Sequence, residues 1–432
     1  MAIIPQMSLF SWEDIEDLGD LKRLKLVLEH LPDEELMITL EKQRKNGRND
    51  YPVRAIWNTI LAGIVFEHKS IESLRRELSR NAQLRYLCGL ELRGVPTSSV
   101  YSRFMKNLIK LEDKVNDMFY KSVNELKRLL PTFGESLAID SKAIQSFANH
   151  RNKNTTEDGR RDLDADYGIK SYKGHREDGT LWEKVVRWFG YKLHLIVDSD
   201  YELPIAYSVT KASVSDVKEA HRFIDEFRSN SYELLGNATV LSADKGYDDT
   251  KLIERLWDDH EIKSVIDIRN MWKEKDETRL FEQYSNVTHD YKGTVYCHCP
   301  LTGIERQMLN GGFEKDRNTL KKLCPAKQYG ITCNGVTECQ VKQGIRIPLD
   351  ENRRLFTPID RASYKWEREY NKRTAVERVN SRLDVSFGFE NHTIRGLQKM
   401  KVKCGLALAV MLAMAIGHIK ENRLDKIRSF TS

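Results

Sequence analysis

A chain of 432 residues with 40% hydrophobic and 31% charged residues excludes a disordered protein, and it is too long for one ordinary core, so two or three domains are expected. Its 70 Lys and Arg against 64 Asp and Glu leave a formal charge of +6, too mild on its own to mark a polyanion binder. The longest apolar run, Gly405–Ile419, holds two glycines and falls short of the ~20 residues a bilayer crossing needs, so a buried helix and no membrane are expected.

Charge is unevenly placed. Between Arg361 and Arg428 there are 15 Lys/Arg and 7 Asp/Glu, a balance of +8, so the remainder sums to −2. The start, Met-Ala-Ile-Ile-Pro-Gln, lacks the basic flank and apolar core of a signal peptide. Seven cysteines, an odd number, fit a reducing compartment, and the cytoplasm is the expectation.

Helical periodicity runs from Leu9 to about Leu130. Ser11-Trp-Glu-Asp reads as an N-cap with an acidic first turn. Leu21, Leu24, Val27, Leu28 and Leu31 recur at helical spacing, and Pro52–His68 is strongly apolar. At Gly94–Asn107, Pro96 and Thr97 or Ser98 mark a helix start, with Ser99, Tyr101, Ser102, Arg103 and Lys106 on its expected outer face. That pattern fits a recognition helix with Arg103 and Lys106 as DNA contacts; the plainer reading is one more helix of an all-α bundle.

From Ser136 the pattern changes. Leu137-Ala-Ile and Ala238-Thr-Val-Leu-Ser-Ala are short apolar runs ending in Asp140 and Asp244, as expected of strands covered on both faces. An acid at the end of such a strand is badly placed unless paired or holding a cation. Gly190–Asp198 alternates, with Lys192 and His194 on one face, and Leu203–Thr210 is its hairpin partner. Ser215–Phe227 and Asp248–Trp257 read as helices and Lys263–Ile268 as a strand, giving a mixed α/β sheet. His150–Glu183, polar and aperiodic, reads as a mobile loop beside the site. Residues 272–352 break the rhythm and look β-rich, and Trp366, Tyr370, Arg373, Glu377 and Asp384 share one face of a single helix. The Lys399–Lys420 helix is expected to pack beneath the sheet.

Ile-Asp-Ser-Lys at Asp140, Ser-Ala-Asp-Lys-Gly-Tyr at Asp244 and Tyr370-x-x-Arg373-x-x-x-Glu377 together resemble the signatures of DDE transposases of bacterial insertion sequences. The resemblance implies a ribonuclease-H-like core with an all-α N-terminal domain and a β-rich insertion: 1–130 helical and DNA-binding, 131–268 the first part of the core, 269–354 the insertion, and 355–432 the helices carrying the third acid. It implies that Asp140, Asp244 and Glu377 are the catalytic acids and hold two Mg²⁺ or Mn²⁺ ions. Three carboxylates suit such ions, which take oxygen ligands and retain waters. It also implies cleavage at transposon ends, strand transfer into target DNA, and a homodimer on double-stranded DNA. Tyr370, Arg373, Lys192, His194 and Lys245 are the expected DNA contacts of the site. The family's signature places a Lys seven residues after the Glu, where this chain has Asp384. A metal-dependent endonuclease on the same core and a non-catalytic DNA-binding derivative are the alternatives.

Five cysteines, Cys297, Cys299, Cys324, Cys333 and Cys339, lie in the insertion. Cys297-x-Cys299 is too tight for a zinc knuckle and the others are widely spaced, so free thiols are expected, with Zn²⁺ as the alternative. Trp272 is expected to serve in packing rather than in stacking on a base.

Overall fold

The computed structural model describes residues 18–44, 50–90, 94–148, 161–176, 178, 180–230, 236–272 and 277–429; the expected cap at Ser11 lies outside these. The N-terminal part is helical, as the periodicity predicts: α1 (Leu21–His30), α2 (Glu34–Lys42), α3 (Val53–Val65), α4 (Ile71–Arg80), α5 (Ala82–Leu87), α6 (Ser98–Ile109) and α7 (Glu112–Leu129). Local chemistry sets the starts. Ser70 Oγ accepts the Ser73 N–H at 3.2 Å, and Asn81 Oδ1 accepts that of Leu84 at 2.9 Å. On α6, Ser102, Arg103 and Lys106 are exposed. Tyr101 is not: it is fully buried with its hydroxyl 3.0 Å from Thr59 Oγ1, because its ring belongs to the apolar stripe with Phe104 and Leu108.

A mixed sheet follows, from β1 (Ser136–Gln145), β2 (Asp166–His175), β3 (Leu181–Asp198), β4 (Leu203–Lys211), then α8 (Asp216–Asn230), β5 (Val240–Ala243), α9 (Thr250–Asp258) and β6 (Lys263–Ile266). Its order is β2-β3-β1-β5-β6, with β4 also on β3. Strands β1 to β4 pair antiparallel; β5 and β6 continue parallel to β1. The loop expected over 150–183 is overturned. Residues 149–160 lie outside the described residues, but β2 and the first half of β3 form a long ribbon leaving the sheet, with Ile169, Leu181, Trp182 and Val185 exposed. Its alternation is hidden among charges, and its glycines serve the ribbon: the Trp188 ring lies over Gly168, where a Cβ would stand 2.2 Å from it.

The segment expected to be an insertion is rich in strands. Strands β7 (Arg279–Leu280), β8 (Val287–His289), β9 (Val295–His298) and β10 (Glu305–Gln307) form one antiparallel sheet. Strands β11 (Leu309–Glu314), β12 (Thr319–Leu323) and β13 (Ile345–Pro348) form another, with a short helix α10 (Pro325–Tyr329) after β12. These strands gather a small second core around Phe281, Val287, Val295 and Ile345, which Trp257 of α9 and Phe356 help to close.

The chain closes through α11 (Tyr364–Asn371), α12 (Thr374–Phe387) and α13 (Leu397–Lys420). The single helix expected through Asp384 is therefore two. At Lys372-Arg373 the backbone tightens into i→i+3 bonds, from Arg373 N to Tyr370 O at 3.0 Å and from Ala375 N to Lys372 O at 3.0 Å. Helix α13 is long and apolar enough to cross a membrane by length and composition, yet 89% of its apolar window is buried inside the protein. It packs on α1, α3, α7 and β4. One continuous apolar cluster thereby joins the N-terminal helices, the sheet and α13.

Candidate active site

Strands β1 and β5 run side by side and parallel, Ala138 opposite Ser242. Two residues further along each come Asp140 and Asp244, so strand pairing alone brings the two carboxylates to the same level. Asp244 ends β5 and caps the following turn, its Oδ1 accepting the Gly246 N–H at 2.7 Å. A Cβ on Gly246 would meet that oxygen at 2.7 Å, which is why glycine stands there. Asp140 is half-buried, and its Oδ1 accepts the Ser141 N–H at 2.7 Å. Burial pushes its carboxyl up to about 6; the Lys170 ammonium pulls it down, and the Asp244 charge pushes it up again.

Glu377 lies in the first turn of α12, exposed, with its Oε1 2.8 Å from Arg373 Nη1. The same guanidinium is close enough to Asp140 to stabilise its charged form. Arg373 thus reaches from Glu377 to Asp140, with its Cζ 5.6 Å from the Tyr370 ring. Tyr370 stacks on Trp366 at 4.7 Å and 11°. Burial raises the Tyr370 hydroxyl's pKa, and Asp267, Asp244 and Lys245 all act on it. Lys245 is mostly exposed, its Nζ 3.2 Å from Asp267 Oδ2. Tyr370, Arg373 and Lys245 are therefore gathered with the acids. As the side chains stand, no three His, Cys, Asp or Glu among the described residues are grouped so as to hold a metal ion, and Glu377 is turned to Arg373.

Lys192 and His194 are not part of this group. Asp140 lies opposite Leu195, Ser141 opposite His194 and Ala143 opposite Lys192, so both residues project from the other face of the sheet. Both are buried there. Lys192 Nζ donates to Val214 O at 2.9 Å and Asp216 Oδ1 at 3.0 Å; His194 Nε2 is 2.9 Å from Thr210 Oγ1, and burial pushes its imidazole down to about 4. The expected DNA contacts at these two positions are thus corrected: the strand alternates as its sequence predicts, but the face with Lys192 and His194 is buried against the start of α8.

The residue in place of the signature's lysine has a partner. Asp384 Oδ2 sits 2.5 Å from Lys142 Nζ, which also lies 3.4 Å from Glu390 Oε1. Lys142 shares the Asp140 face of β1, and its charge is taken up by these two carboxylates. Arg378 and Arg382 both pair with Glu202 instead. The i, i+2 spacing to Asp140 is the signal that marks Lys142; Lys170 carries none, since the sequence around it reads as loop. Trp272, half-exposed, lies between Arg279, whose Cζ is 4.5 Å from the ring, and His289, 5.8 Å away.

Two family models match the chain. One, described as a transposase DDE domain, covers residues 131–413, which include Asp140, Asp244 and Glu377. The chain belongs to the DDE transposase family. A second, described as a transposase domain of the DUF772 type, covers residues 10–107 of this transposase. No curated protein matches its sequence. A solved piggyBac transposase synaptic complex with hairpin DNA aligns over 98% of this chain and 87% of its own, at 12% identity and a TM-score of 0.29.

Proposed function

We propose that this transposase cleaves DNA at transposon ends and passes the freed 3′-hydroxyl to target DNA at the same site, with Asp140, Asp244 and Glu377 as its catalytic acids. The observation that carries the reading is the pairing of β1 with β5, which levels Asp140 with Asp244, while Arg373 ties Glu377 to Asp140.

The donor set fits divalent cations of the Mg²⁺ kind. Asp140 is a half-buried carboxylate pushed up to about 6 beside a second carboxylate, a charge that a cation would relieve. Glu377, exposed on α12, would join them on exchanging Arg373 for the ion. When bound, two such ions would activate the attacking oxygen and offset charge on the leaving one. Arg373, with a bidentate fork, and Tyr370 beside it would grip a phosphate next to the scissile bond. Lys245 and Lys170 would add positive charge along the strand, and Arg103 and Lys106 on α6 would hold DNA further out.

Three antiparallel strands, β4, β3 and β1, followed by parallel β5 and β6, support a ribonuclease-H-like core over 131–268 and 355–432. On that reading residues 269–354 are the insertion and 1–130 the DNA-binding part. Two transposon ends must meet for joining, so the working unit is a homodimer on DNA.

The test is incubation of purified protein with its element's terminal DNA and Mg²⁺ or Mn²⁺. A new 3′-hydroxyl at the boundary is expected, followed by joined product with target DNA. Glu377→Gln and Asp140→Asn should each lower both steps by at least about a hundredfold. Full activity in both variants would overturn the assignment.

A further inference from the structure

The insertion's five cysteines, spread between positions 297 and 339, are brought together by its two small sheets. Cys299 opens a tight turn, Cys299-Pro-Leu-Thr-Gly303. Its N–H donates to Ile304 O at 3.0 Å, and Gly303, at φ +69°, returns its own N–H to Cys299 O at 2.8 Å. This turn sets the Cys299 sulfur and the Leu301 nitrogen side by side, 3.1 and 3.2 Å from where a Cβ of Gly335 would stand. A second turn, at Cys333-Asn-Gly335, faces it. The Cys299 and Cys333 thiols lie close enough to act on one another electrostatically. The two turns are pressed together, for a Cβ on Gly335 would stand 2.8 Å from Pro300 Cδ and 3.1 Å from Cys299 Sγ.

The other three thiols border this pair. Cys297 precedes Cys299 by two residues, on β9, and lies within electrostatic reach of Cys324, Cys333 and Cys339. Asn286 Nδ2 bonds both Cys339 Sγ, at 3.5 Å, and His298 O, at 3.1 Å, tying Cys339 to the strand that carries Cys297. All five are free thiols.

We propose that this cluster is a structural zinc site. Cys299 and Cys333, one from each turn, form its fixed pair, and two of Cys297, Cys324 and Cys339 complete the tetrahedron. Soft thiolate ligands select zinc over the hard cations that suit the carboxylate site. The two tight turns packed on each other hold Cys299 in place, the kind of support from beyond the ligands that orients a metal site. The insertion's small core also gives the metal a purpose, because a domain of this size gains much of its stability from such a staple. No three of the side chains meet at one point as they stand, so binding turns the outer cysteines inward by rotation about Cα–Cβ to reach Zn–S distances of about 2.3 Å. The proposal does not depend on the catalytic reading.

Full-length protein from zinc-supplemented cells, purified without chelator, is expected to carry about one zinc per chain by plasma mass spectrometry. Cys299→Ser and Cys333→Ser should each lower that content at least about tenfold. Cys88→Ser and Cys404→Ser, in the buried helical core, should leave it unchanged. Because the first two variants risk misfolding, Co²⁺ added to zinc-stripped wild type gives a second measurement: a thiolate-to-Co²⁺ charge-transfer band is expected, and Asp140→Asn should retain it. Protein that purifies without zinc and shows no such band would overturn the proposal. So would retention of zinc in both Cys299→Ser and Cys333→Ser, or a Cys299–Cys333 disulfide in the native protein.

Discussion

Asp140→Asn should abolish DNA cleavage and yet make the protein harder to unfold. Burial holds the Asp140 carboxyl at about 6 against its ordinary 3.8, so the folded chain binds that proton more tightly than the unfolded chain does. The stability contributed by protonation is fully present below 3.8 and is lost as pH rises through about 6. At 1.36 kcal/mol per pH unit the difference reaches about 3 kcal/mol at pH 8, an upper bound because the half-buried side chain keeps some water. Asn has the same shape without the charge. Urea unfolding in Mg²⁺-free buffer should therefore show the two proteins nearly equal at pH 4 and diverging in favour of Asn between pH 5 and 8. Millimolar Mg²⁺ should narrow the gap by stabilising the wild type. Parallel stability curves from pH 5 to 8, or a less stable Asn variant at pH 8, would refute the account of Asp140 as a carboxylate held at a cost.

Lys142→Ala leaves the half-buried Asp384 without its cation and should cost about 2 kcal/mol in urea unfolding. Asp384→Lys, which restores the family's lysine, should also destabilise, because it sets two ammonium groups against each other; Lys142→Asp with Asp384→Lys should recover most of the loss, and a stabilising single Asp384→Lys would contradict the pairing. Asp248 is fully buried at its side chain and grips Arg354 through two bonds of 2.8 and 2.7 Å. Asp248→Ala should cost about 3 kcal/mol and speed hydrogen exchange at residues 244–248; unchanged exchange there would refute a clamp on the Asp244 turn. Gly405→Ala would set a Cβ 2.2 Å from Tyr207 Oη, a hydroxyl held 2.5 Å from Asn116 Oδ1, and should cost about 1–3 kcal/mol in the same unfolding assay.

The elements legible in the sequence were those where apolar spacing and burial agree. Helices α1, α3 and α6, strands β4 to β6 and helices α8 and α9 follow from periodicity within a few residues at their ends, while α5 and α7 fall inside a stretch read only as helical. The gathering of Asp140 with Asp244 was also legible, because two apolar runs ending in acids imply neighbouring strands. The ribbon of β2 and β3 was not. Its Trp, Val and Ile residues stand exposed among lysines, and exposure removes the signal that periodicity relies on. Lys192 and His194 failed for a related reason: alternation says that two faces exist, while only the packing of α8 says which is covered. Arg373 marks a third limit, since i→i+3 bonds break a helix that the side-chain pattern carries straight through. The cysteines show the last: their spacing along the chain argues against a shared site, and the turns that bring Cys299 to Cys333 are tertiary.

The position of α13 has a consequence for biosynthesis. Ribosomes deliver the chain from its N-terminus, and helices α1, α3 and α7 emerge with greasy flanks whose eventual cover is residues 397–420. Until that stretch is made, the nascent protein has to be shielded by chaperones or remain loosely collapsed. A transcript broken before it therefore yields polypeptides fit for proteolysis rather than half-built enzymes able to occupy DNA.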